Sequence, residues 1–440
     1  MLVFYYMSNN LIKSEKTKKN ITTLLIIASY LPFLIFSNAE ITDASSVLFF
    51  AARQAGYLAT IMLLWQFILG TRAITRYFFK DHIWVLDTHK QFGIYGILLI
   101  LAHPILITID YGESANFLLY GPLETDFDQH VAMGRFAFFI FMIIWISSAI
   151  LRKKIGYRPW RYIHYLAYLM IPFLLLHVPE TGTFYAFEQG IRTYWAIIAA
   201  AFGVIVLLRA LDFFTFGHKT YKLISKKEIS KGVYQYVFEP LTNKRIIPNA
   251  GQFLYVRKGF WSEEHPFSIV GHNEKNDQIF VAAKVFGKYT AKLSNLELGT
   301  QVYLDGPYGV FTAEANIDET TPTTFIAGGI GITPFIPHVL NKRMNVHLFS
   351  ACRTARHSLF DKELKAHLGD KYIQVHSEKA SGGAHSGYID AELLKSQLGD
   401  QFAKQTFYIC GPAPMMAKVK TSLQDAGIDQ GKIHTEEFGY

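Results

Sequence analysis

Apolar residues are concentrated in the first half of the chain, in long segments that carry almost no charge. Each segment approaches or exceeds the roughly 20 residues that an α-helix needs to cross a bilayer. From about residue 217 onward the charge density rises and short alternating patterns begin, which are typical of half-buried strands. The pattern therefore predicts a membrane half followed by a soluble half. The apolar segments are 21–37, 46–69, 91–109, 131–151, 162–178 and 192–211.

The soluble half divides again by pattern. Residues 217–315 contain short strand patterns separated by turn signals, which predict a small β-barrel. Residues 322–440 alternate apolar strands, such as Phe325–Ala327, Asn345–Phe349 and Phe407–Ile409, with helical patterns, as in an open α/β sheet. We therefore predict four parts: an N-terminal tail (1–20), a six-helix bundle (21–212), a barrel (217–315) and an α/β domain (322–440).

The placement of Lys and Arg predicts the orientation of the spans. Basic residues crowd the N-terminal tail and the second and fourth connections, whereas the third connection is acidic and has no Lys or Arg. Six spans with both termini in the cytoplasm satisfy every connection. The net charge of +8 is then explained by the inside loops, so we expect no nucleic-acid partner.

The N-terminus and the cysteines agree with this topology. Ser37, Asn38 and Ala39 follow the first apolar run as a signal-peptide cleavage site would, but the run is long for a signal peptide and favours an uncleaved helix. The two cysteines, Cys352 and Cys410, show neither a disulfide framework nor metal spacing, as expected in a reducing cytoplasm.

Four histidines stand inside apolar segments. His89 and His103 lie 14 positions apart in one segment, and His164 and His177 lie 13 apart in another. An ionisable residue within a bilayer is costly, needs a partner and marks a candidate functional site. Each pair spans roughly 20 Å of helix, most of the hydrocarbon thickness. Two haems, each bound by one histidine from each helix, would fit this arrangement.

Depth predicts the pairing: His89 with His164 near the cytoplasmic face, and His103 with His177 near the outer face. Histidine on both sides of the iron suits electron transfer. A proton relay would also use intramembrane histidines, usually beside carboxylates, but neither segment has a carboxylate in its interior. Arg53, within the second span, either extends its charge to the interface or pairs with a propionate of the outer haem.

Two stretches of the barrel region carry candidate chemistry. One is a turn before a strand, and the other places glycine, two cations and a hydroxyl around a short turn, which offers N–H groups and positive charge to a pyrophosphate. The first consists of His265, Pro266, Phe267 and Ser268, and the second of Lys284, Gly287, Lys288, Tyr289 and Thr290.

The α/β region contains two glycine turns after strands, and we expect the first to open a helix. Glycines at such a turn let phosphate approach the backbone. The strand that ends at Phe349 is followed by Ser350, Arg353 and Arg356, with cations where an acidic residue would bind a ribose hydroxyl, so NADPH is favoured over NADH. The turns are Gly328, Gly329, Gly331, Thr333 and Pro334, and Cys410, Gly411 and Pro412.

In this order the motifs resemble, over nearly the whole chain, the NADPH oxidase and ferric reductase superfamily, especially its compact prokaryotic members. In that family, histidine pairs on the third and fifth helices, with spacings of 14 and 13, hold two b-type haems. The resemblance implies a six-helix transmembrane bundle, ferric-reductase-like, followed by a ferredoxin-reductase-type FAD β-barrel and an α/β NADPH-binding domain, all in a bacterial inner membrane.

The resemblance also implies roles for single residues. His265 would contact FAD phosphate and Ser268 would lie near the isoalloxazine, with Pro266 and Phe267 in the same motif. The second turn of the barrel matches the second FAD motif, with Lys284 in place of the usual arginine. The two glycine turns resemble the motifs for the NADPH pyrophosphate and the nicotinamide. Cys410 and Phe438 are the predicted catalytic residues. Phe438 would stack on flavin, unless Tyr440, beyond it, does so.

The predicted function is electron transfer from cytoplasmic NADPH through FAD and both haems to an outside acceptor, with oxygen reduced to superoxide. Ferric iron is the alternative, mildly favoured by the acidic third connection, and a partner protein or quinone could also accept the electrons. A transporter with a nucleotide-sensing soluble half would contain no haem and would leave the histidine spacings unexplained. The predicted partners are membrane lipid and a small-molecule acceptor; the sequence indicates no particular oligomer.

Overall fold

The structure, a computed structural model, describes residues 14–37, 41–181, 188–259, 262–312, 322–341, 344, 346–378 and 382–437. Along the chain it divides into two compact units, with the boundary between Asp212 and Phe213. The first unit is helical, and the second contains a closed barrel and an open sheet.

Six helices in the described part of the chain are long and apolar enough to cross a membrane, with mean hydropathies of 1.4 to 2.2. Each contains most of one of the apolar segments read from the sequence. The chain is therefore an integral membrane protein. The helices are α1 (Glu15–Phe36), α2 (Ala44–Gly70), α3 (His82–Asp110), α4 (Asp126–Ile150), α5 (Tyr157–Thr181) and α6 (Gln189–Phe213).

Polar caps begin three of these helices. Asp43 accepts the Ser46 N–H before α2, Asp81 accepts the Trp84 N–H before α3, and Thr125 accepts the Asp128 N–H before α4, at 2.8, 3.0 and 3.1 Å. Each cap satisfies an N–H group that has no partner within its helix. The caps thus place the helix starts at polar residues just before the apolar segments.

The packing of the bundle brings α2 against α3 and α4 against α5. Its core combines aliphatic side chains with aromatic ones such as Phe33, Tyr57, Trp65 and Phe202. Helix α5 continues through Pro172. Helix α4 instead ends in a π-helical turn over Ile146–Ile150, a wide turn that accommodates one extra residue.

The second unit begins with a closed barrel in the strand order β1-β2-β5-β4-β3-β6, and all its pairings are antiparallel. A short helix, α7 (Lys288–Ser294), follows β5. The strands are β1 (Lys219–Ser230), β2 (Val233–Pro240), β3 (Phe253–Arg257), β4 (Glu264–Asn273), β5 (Gln278–Lys284) and β6 (Gln301–Tyr308).

The rest of the unit is a parallel sheet in the order β10-β9-β8-β7-β11-β12. Hydrophobic clusters cover both of its faces, one around Phe325 and Leu364 and the other around Ile326 and Leu394. Its elements are β7 (Thr323–Gly328), β8 (His347–Cys352), α8 (Asp361–Leu368), β9 (Tyr372–His376), β10 (His385–Ser386), α9 (Ala391–Leu398), β11 (Thr406–Cys410), α10 (Ala413–Asp425) and β12 (Ile433–Glu436).

Two local expectations for the sheet need correction. The helix expected directly after the first glycine turn is instead a 3-10 turn, Gly329–Ile332, followed later by a π-helical turn, Pro337–Asn341. Pro334 and Pro337 lack N–H groups, so they cannot donate the hydrogen bonds of a regular helix there. The strand expected over Asn345–Phe349 continues to Cys352, and Asn345 lies outside the described residues.

Candidate functional site

The four intramembrane histidines form two pairs between α3 and α5. The ring centroids of His89 and His164 are 6.0 Å apart, and those of His103 and His177 are 6.1 Å apart. An imidazole nitrogen binds a transition metal at about 2 Å, and the ring centroid lies about 1 Å behind that nitrogen, so a metal between two opposed rings separates the centroids by about 6 Å. Both pairs have the spacing for one metal ion between two rings.

Hydrogen bonds assign the proton in three of these rings. In each, Nδ1 lies close to a backbone carbonyl oxygen: Gln66 at 2.9 Å for His89, Ala52 at 2.8 Å for His103, and His130 at 2.9 Å for His177. A carbonyl oxygen can only accept, so Nδ1 carries the proton and Nε2 keeps its lone pair. This is the usual arrangement of a metal-binding histidine with its outer partner.

The fourth ring has a different neighbour. His164 Nδ1 lies 3.4 Å from the hydroxyl oxygen of Ser148. The indole N–H of Trp160 donates to the same oxygen at 3.0 Å, and the Trp160 ring lies 5.1 Å from that of His164. This ring alone among the four has a side-chain hydroxyl beside its Nδ1 in the described part of the chain.

Small residues on α2 and α4 make room for the rings. The sequence analysis missed them, although they repeat the interval of the histidines: Gly56 and Gly70 are 14 apart, as are Gly134 and Ser148. Side chains at the three glycines would crowd the imidazoles. A Cβ would lie 3.0 Å from His103 at Gly56, 3.1 Å from His89 at Gly70 and 2.6 Å from His177 at Gly134.

A cavity of about 410 Å³ contains the His103–His177 pair. Its lining is mainly apolar but includes two guanidinium groups, Arg53 and Arg135. Arg53 is only 6 % exposed, and Arg135 donates from Nε to the Phe117 carbonyl at 2.9 Å. An apolar cavity with two planar cations and two imidazoles fits a flat apolar group that carries carboxylates.

The cavity around the His103–His177 pair thus contains Arg53, which the sequence analysis considered, and Arg135, which it missed. Arg53 lines the cavity beside the His103–His177 pair, as the second of its two predicted alternatives requires. Arg135 was passed over within the apolar segment 131–151, although a charge inside a span is itself a signal. Among the described residues no group of three or more His, Cys, Asp or Glu is placed to hold a metal ion.

The two predicted FAD motifs meet at Tyr289. The His265 ring stacks on the Tyr289 ring with centroids 3.9 Å apart, and the Phe267 ring lies 6.2 Å away. The Tyr289 hydroxyl donates to the Val256 carbonyl at 2.5 Å. Burial, and then two nearby glutamates, raise the pKa of Tyr289, so the phenol stays neutral and remains a donor. Pro266 and buried Ser268 lie on the same strand, β4.

Thr290 holds the turn between β5 and α7, which is the second predicted FAD motif. Thr290 Oγ1 accepts the N–H groups of Phe286 and Gly287 at 2.9 and 3.1 Å. Lys284, at the end of β5, and Lys288, at the start of α7, flank the turn. The turn therefore keeps its shape through its own hydrogen bonds and presents two cations. Gly287 is extended, with open space where a Cβ would lie.

Glycines join the two turns at the carboxyl edge of the parallel sheet. A Cβ at Gly331 would lie 2.3 Å from the Cys410 carbonyl oxygen, and one at Gly411 would lie 2.9 Å from Gly328 Cα. These glycines are therefore required by the packing of the turns against each other. Gly329 differs, because it has a φ of 54° and open space around the Cβ position.

The remaining predicted residues of this edge differ in exposure. Thr333 donates to the Ile330 carbonyl, and Pro334 and Pro412 lie in the two turns. Ser350 is buried on β8, whereas Arg353 and Arg356 are exposed just beyond it.

Of the two predicted catalytic residues of this unit, only Cys410 lies among the described residues. Cys410 is fully buried, and burial, followed by Glu436, raises the pKa of its thiol well above the usual value. The thiol therefore stays protonated at neutral pH. Phe438 and its alternative Tyr440 lie outside the described residues.

Comparison with known protein families identifies both units. A model of the ferric reductase like transmembrane component matches residues 55–175, which include all of the histidine ligand candidates except His177. A model of the oxidoreductase NAD-binding domain matches residues 325–421. A ferric-reductase-like transmembrane component followed by an oxidoreductase NAD-binding domain fits the NADPH oxidase and ferric reductase superfamily. The predicted fold, a six-helix bundle followed by a ferredoxin-reductase-like FAD and NAD-binding unit, is confirmed, and with it the assignment as an oxidoreductase.

Individual relatives match parts of this chain. It is 28 % identical over 214 residues to ferric reduction oxidase 7, chloroplastic, of Arabidopsis thaliana, which covers 44 % of this chain and 26 % of that one. It is 26 % identical over 249 residues to a flavohemoprotein of Oceanobacillus iheyensis, covering 51 % of this chain and 59 % of the relative. The chain thus spans less than two thirds of the length of either relative.

Among solved structures, the FAD/NAD-binding domain of nitric oxide dioxygenase from Vibrio cholerae aligns with 50 % of this chain and 99 % of its own, at 22 % identity and a TM-score of 0.44.

Proposed function

We propose that the protein passes electrons from cytoplasmic NADPH, through FAD and two b-type haems, to oxygen on the outer side of a bacterial inner membrane, forming superoxide. The observation that carries the proposal is the pair of imidazole separations, 6.0 and 6.1 Å. Ring spacing, the protons on Nδ1 and the glycines opposite the rings all agree with iron porphyrin at both depths.

The residues of the bundle would bind and orient these groups. A haem with two imidazole ligands supplies one-electron transfer without an open site on iron. His89 and His164 would hold the inner haem, and His103 and His177 the outer one. The guanidinium groups of the outer cavity would pair with its propionates, and its apolar lining would exclude water.

The second unit would bind the donor and the flavin. FAD accepts electrons in pairs and releases them singly. Tyr289 would fix His265 for a phosphate contact, and Lys284 would add charge beside it. The neutral thiol of Cys410 would pack beside the nicotinamide without acting as a nucleophile. Phe438 would stack on the flavin, with Tyr440 as its alternative.

Ferric iron is the second candidate acceptor, and two observations favour it. Glu113, Glu124 and Asp126 are exposed on the acidic third connection, where they would attract cations. A relative similar to this chain is named a ferric reduction oxidase. Electrons would reach either acceptor by the same path through the bundle, so the haem ligands do not distinguish oxygen from ferric iron.

The test uses the purified full chain with haem and FAD bound. We expect the absorption spectrum of low-spin, bis-histidine haem, two haems per flavin, and reduction of both by NADPH. Aerobic turnover is then measured with cytochrome c, with and without superoxide dismutase, beside a ferrozine assay with ferric citrate. Inhibition by dismutase supports oxygen. Ferrous product without that inhibition supports ferric iron. Protein without haem would overturn the proposal and favour a nucleotide-sensing transporter.

The preference for NADPH has its own test. Replacing Arg353 and Arg356 together with Ala should raise the KM for NADPH by about tenfold or more, because a charged hydrogen bond contributes about 1.5–3 kcal/mol. The KM for NADH should change little, since it lacks the 2′-phosphate. Lys365→Ala removes an exposed cation of α8 and is the matched control. Equal effects on both nucleotides would contradict this assignment.

A further inference from the structure

We propose that Ser148, oriented by Trp160, sets the reduction potential of the inner haem through His164. The inference rests on the proposed function, because it assumes haem between His89 and His164. Three of the four histidines have backbone carbonyl oxygens beside Nδ1, which no substitution can remove. The partner of His164 is a hydroxyl, so the chain can adjust this hydrogen bond with a single residue.

The position of Ser148 is unusual for a helical serine. Its neighbour Ser147 donates to the Ile144 carbonyl of its own helix at 2.9 Å, as serines within helices commonly do. Ser148 lies in the π-helical turn Ile146–Ile150, and its oxygen contacts groups of α5 instead. Turns of this kind often occur at functional sites, because the extra residue changes where side chains point.

Trp160 holds the hydroxyl in place. Its indole N–H donates to Ser148 Oγ at 3.0 Å, and its ring lies 5.1 Å from the His164 ring, at an angle of 31°. The guanidinium of Arg152 lies 4.4 Å from the Trp160 ring on α5, within range of a cation–π contact. Trp160 is therefore a positioning residue, whose ring contacts a cation and whose N–H group donates to Ser148.

The chemistry of iron ligation fixes the direction of the hydrogen bond. For His164 to bind iron through Nε2, Nδ1 must carry the proton and donate to Ser148 Oγ. That oxygen already accepts the Trp160 N–H, and its 3.4 Å distance from Nδ1 is longer than the 2.8–2.9 Å of the three carbonyl contacts. The hydrogen bond of His164 is therefore the weakest of the four.

A weak bond at Nδ1 changes the haem. An outer partner that accepts a strong hydrogen bond raises the basicity of the imidazole, and a more basic ligand stabilises ferric over ferrous iron. Ser148 gives His164 some of this basicity, but less than a carbonyl would. The hydroxyl therefore gives the inner haem an intermediate reduction potential. It lies between the potential expected if His164 had no partner at Nδ1 and the potential expected if a backbone carbonyl accepted that hydrogen bond.

The experiment is potentiometry of the full-length holoprotein in a His103→Leu background, which leaves one haem and hence one midpoint. Ser148→Ala removes the acceptor, and we expect its midpoint to rise. Ser148→Thr keeps a hydroxyl and should return the midpoint toward that of the parent. Ser148→Gly is the second removal variant, because glycine already occupies the equivalent position, 134, in α4. Ser147→Ala removes a buried hydroxyl that does not contact His164 and is the matched control.

Each result decides one point. A higher midpoint in the Ala and Gly variants, with the Ser147→Ala midpoint unchanged, supports the inference. An unchanged midpoint in both removal variants, or an equal shift in the Ser147→Ala control, overturns it while the proposed function stands. Absence of bound haem in the parent protein would instead overturn the proposed function. The low-spin ferric signal in electron paramagnetic resonance should change with Ser148→Ala and remain unchanged with Ser147→Ala.

Discussion

Replacing His103 with Leu is expected to halve the haem content and stop outward electron transfer, while NADPH still reduces the flavin. His103 supplies one of the two rings of the His103–His177 pair, and His177 alone cannot hold iron from both sides. Leu is apolar and has high helix propensity, so α3 should remain in the membrane. Removing only the group that is hydrogen-bonded to a metal ligand typically lowers metal affinity or activity about 10–100-fold. Removing the ligand itself should therefore reduce outward electron transfer by at least about 100-fold.

Haem-to-flavin ratio, stopped-flow flavin reduction and acceptor turnover are the three measurements. Tyr95→Leu, on the same helix but 63 % exposed, should change none of them. Replacing His177 with Leu should reproduce the effect of His103→Leu. Continued outward transfer at the original rate in either variant would contradict the assignment of this pair to the outer haem.

Replacing Gly331 with Ala is expected to weaken NADPH-driven flavin reduction strongly and to leave the haem content unchanged. The new Cβ would lie 2.3 Å from the carbonyl oxygen of Cys410, and a backbone atom cannot rotate away as a side chain can. The turns after β7 and β11 must then separate, at a cost of about 1–3 kcal/mol or more. The KM for NADPH should rise by more than about tenfold, since about 1.4 kcal/mol already corresponds to that factor.

Reduction by dithionite separates this defect from general unfolding. Chemically reduced Gly331→Ala should show the same haem spectrum as the parent, because the haem ligand candidates lie in the other unit. Gly259→Ala adds a methyl group in open space within the second unit and should keep the parent KM. A parent-like KM in Gly331→Ala would show that the contact between the turns is not needed for nucleotide binding.

Much of the membrane unit can be predicted because lipid imposes simple constraints. A span must be long and apolar, so α1 to α6 appear directly in the hydropathy pattern. A histidine there needs a partner, so equal depth was enough to pair His89 with His164 and His103 with His177, as the ring separations confirm. In the second unit, alternation and turn residues predicted a barrel before an α/β sheet, and the structure contains both.

What the sequence did not predict depends on packing between distant segments. The stack of His265 on Tyr289 requires β4 to lie beside the start of α7, which no local pattern indicates. The contact of Gly331 with Cys410 likewise joins turns 79 positions apart, so the phosphate interpretation of the glycine turn overlooked its packing role. A 3-10 turn replaces the expected helix after Gly328, because Pro334 and Pro337 lack N–H groups. The sequence analysis considered the glycines of this turn and gave too little weight to the prolines.

The wide turn at the end of α4 explains why α4 and α5, which face each other, have unequal intervals. On α2 and α3 both intervals are 14, whereas α5 has 13 opposite the 14 of α4. The extra residue in Ile146–Ile150 accounts for that difference of one. Deleting one codon within this turn would make α4 regular and rotate its final residues by about 100°. Because the turn already compensates for the unequal intervals, a length change elsewhere between Gly134 and Ser148, or between His164 and His177, should be tolerated only with a matching change in the opposite helix.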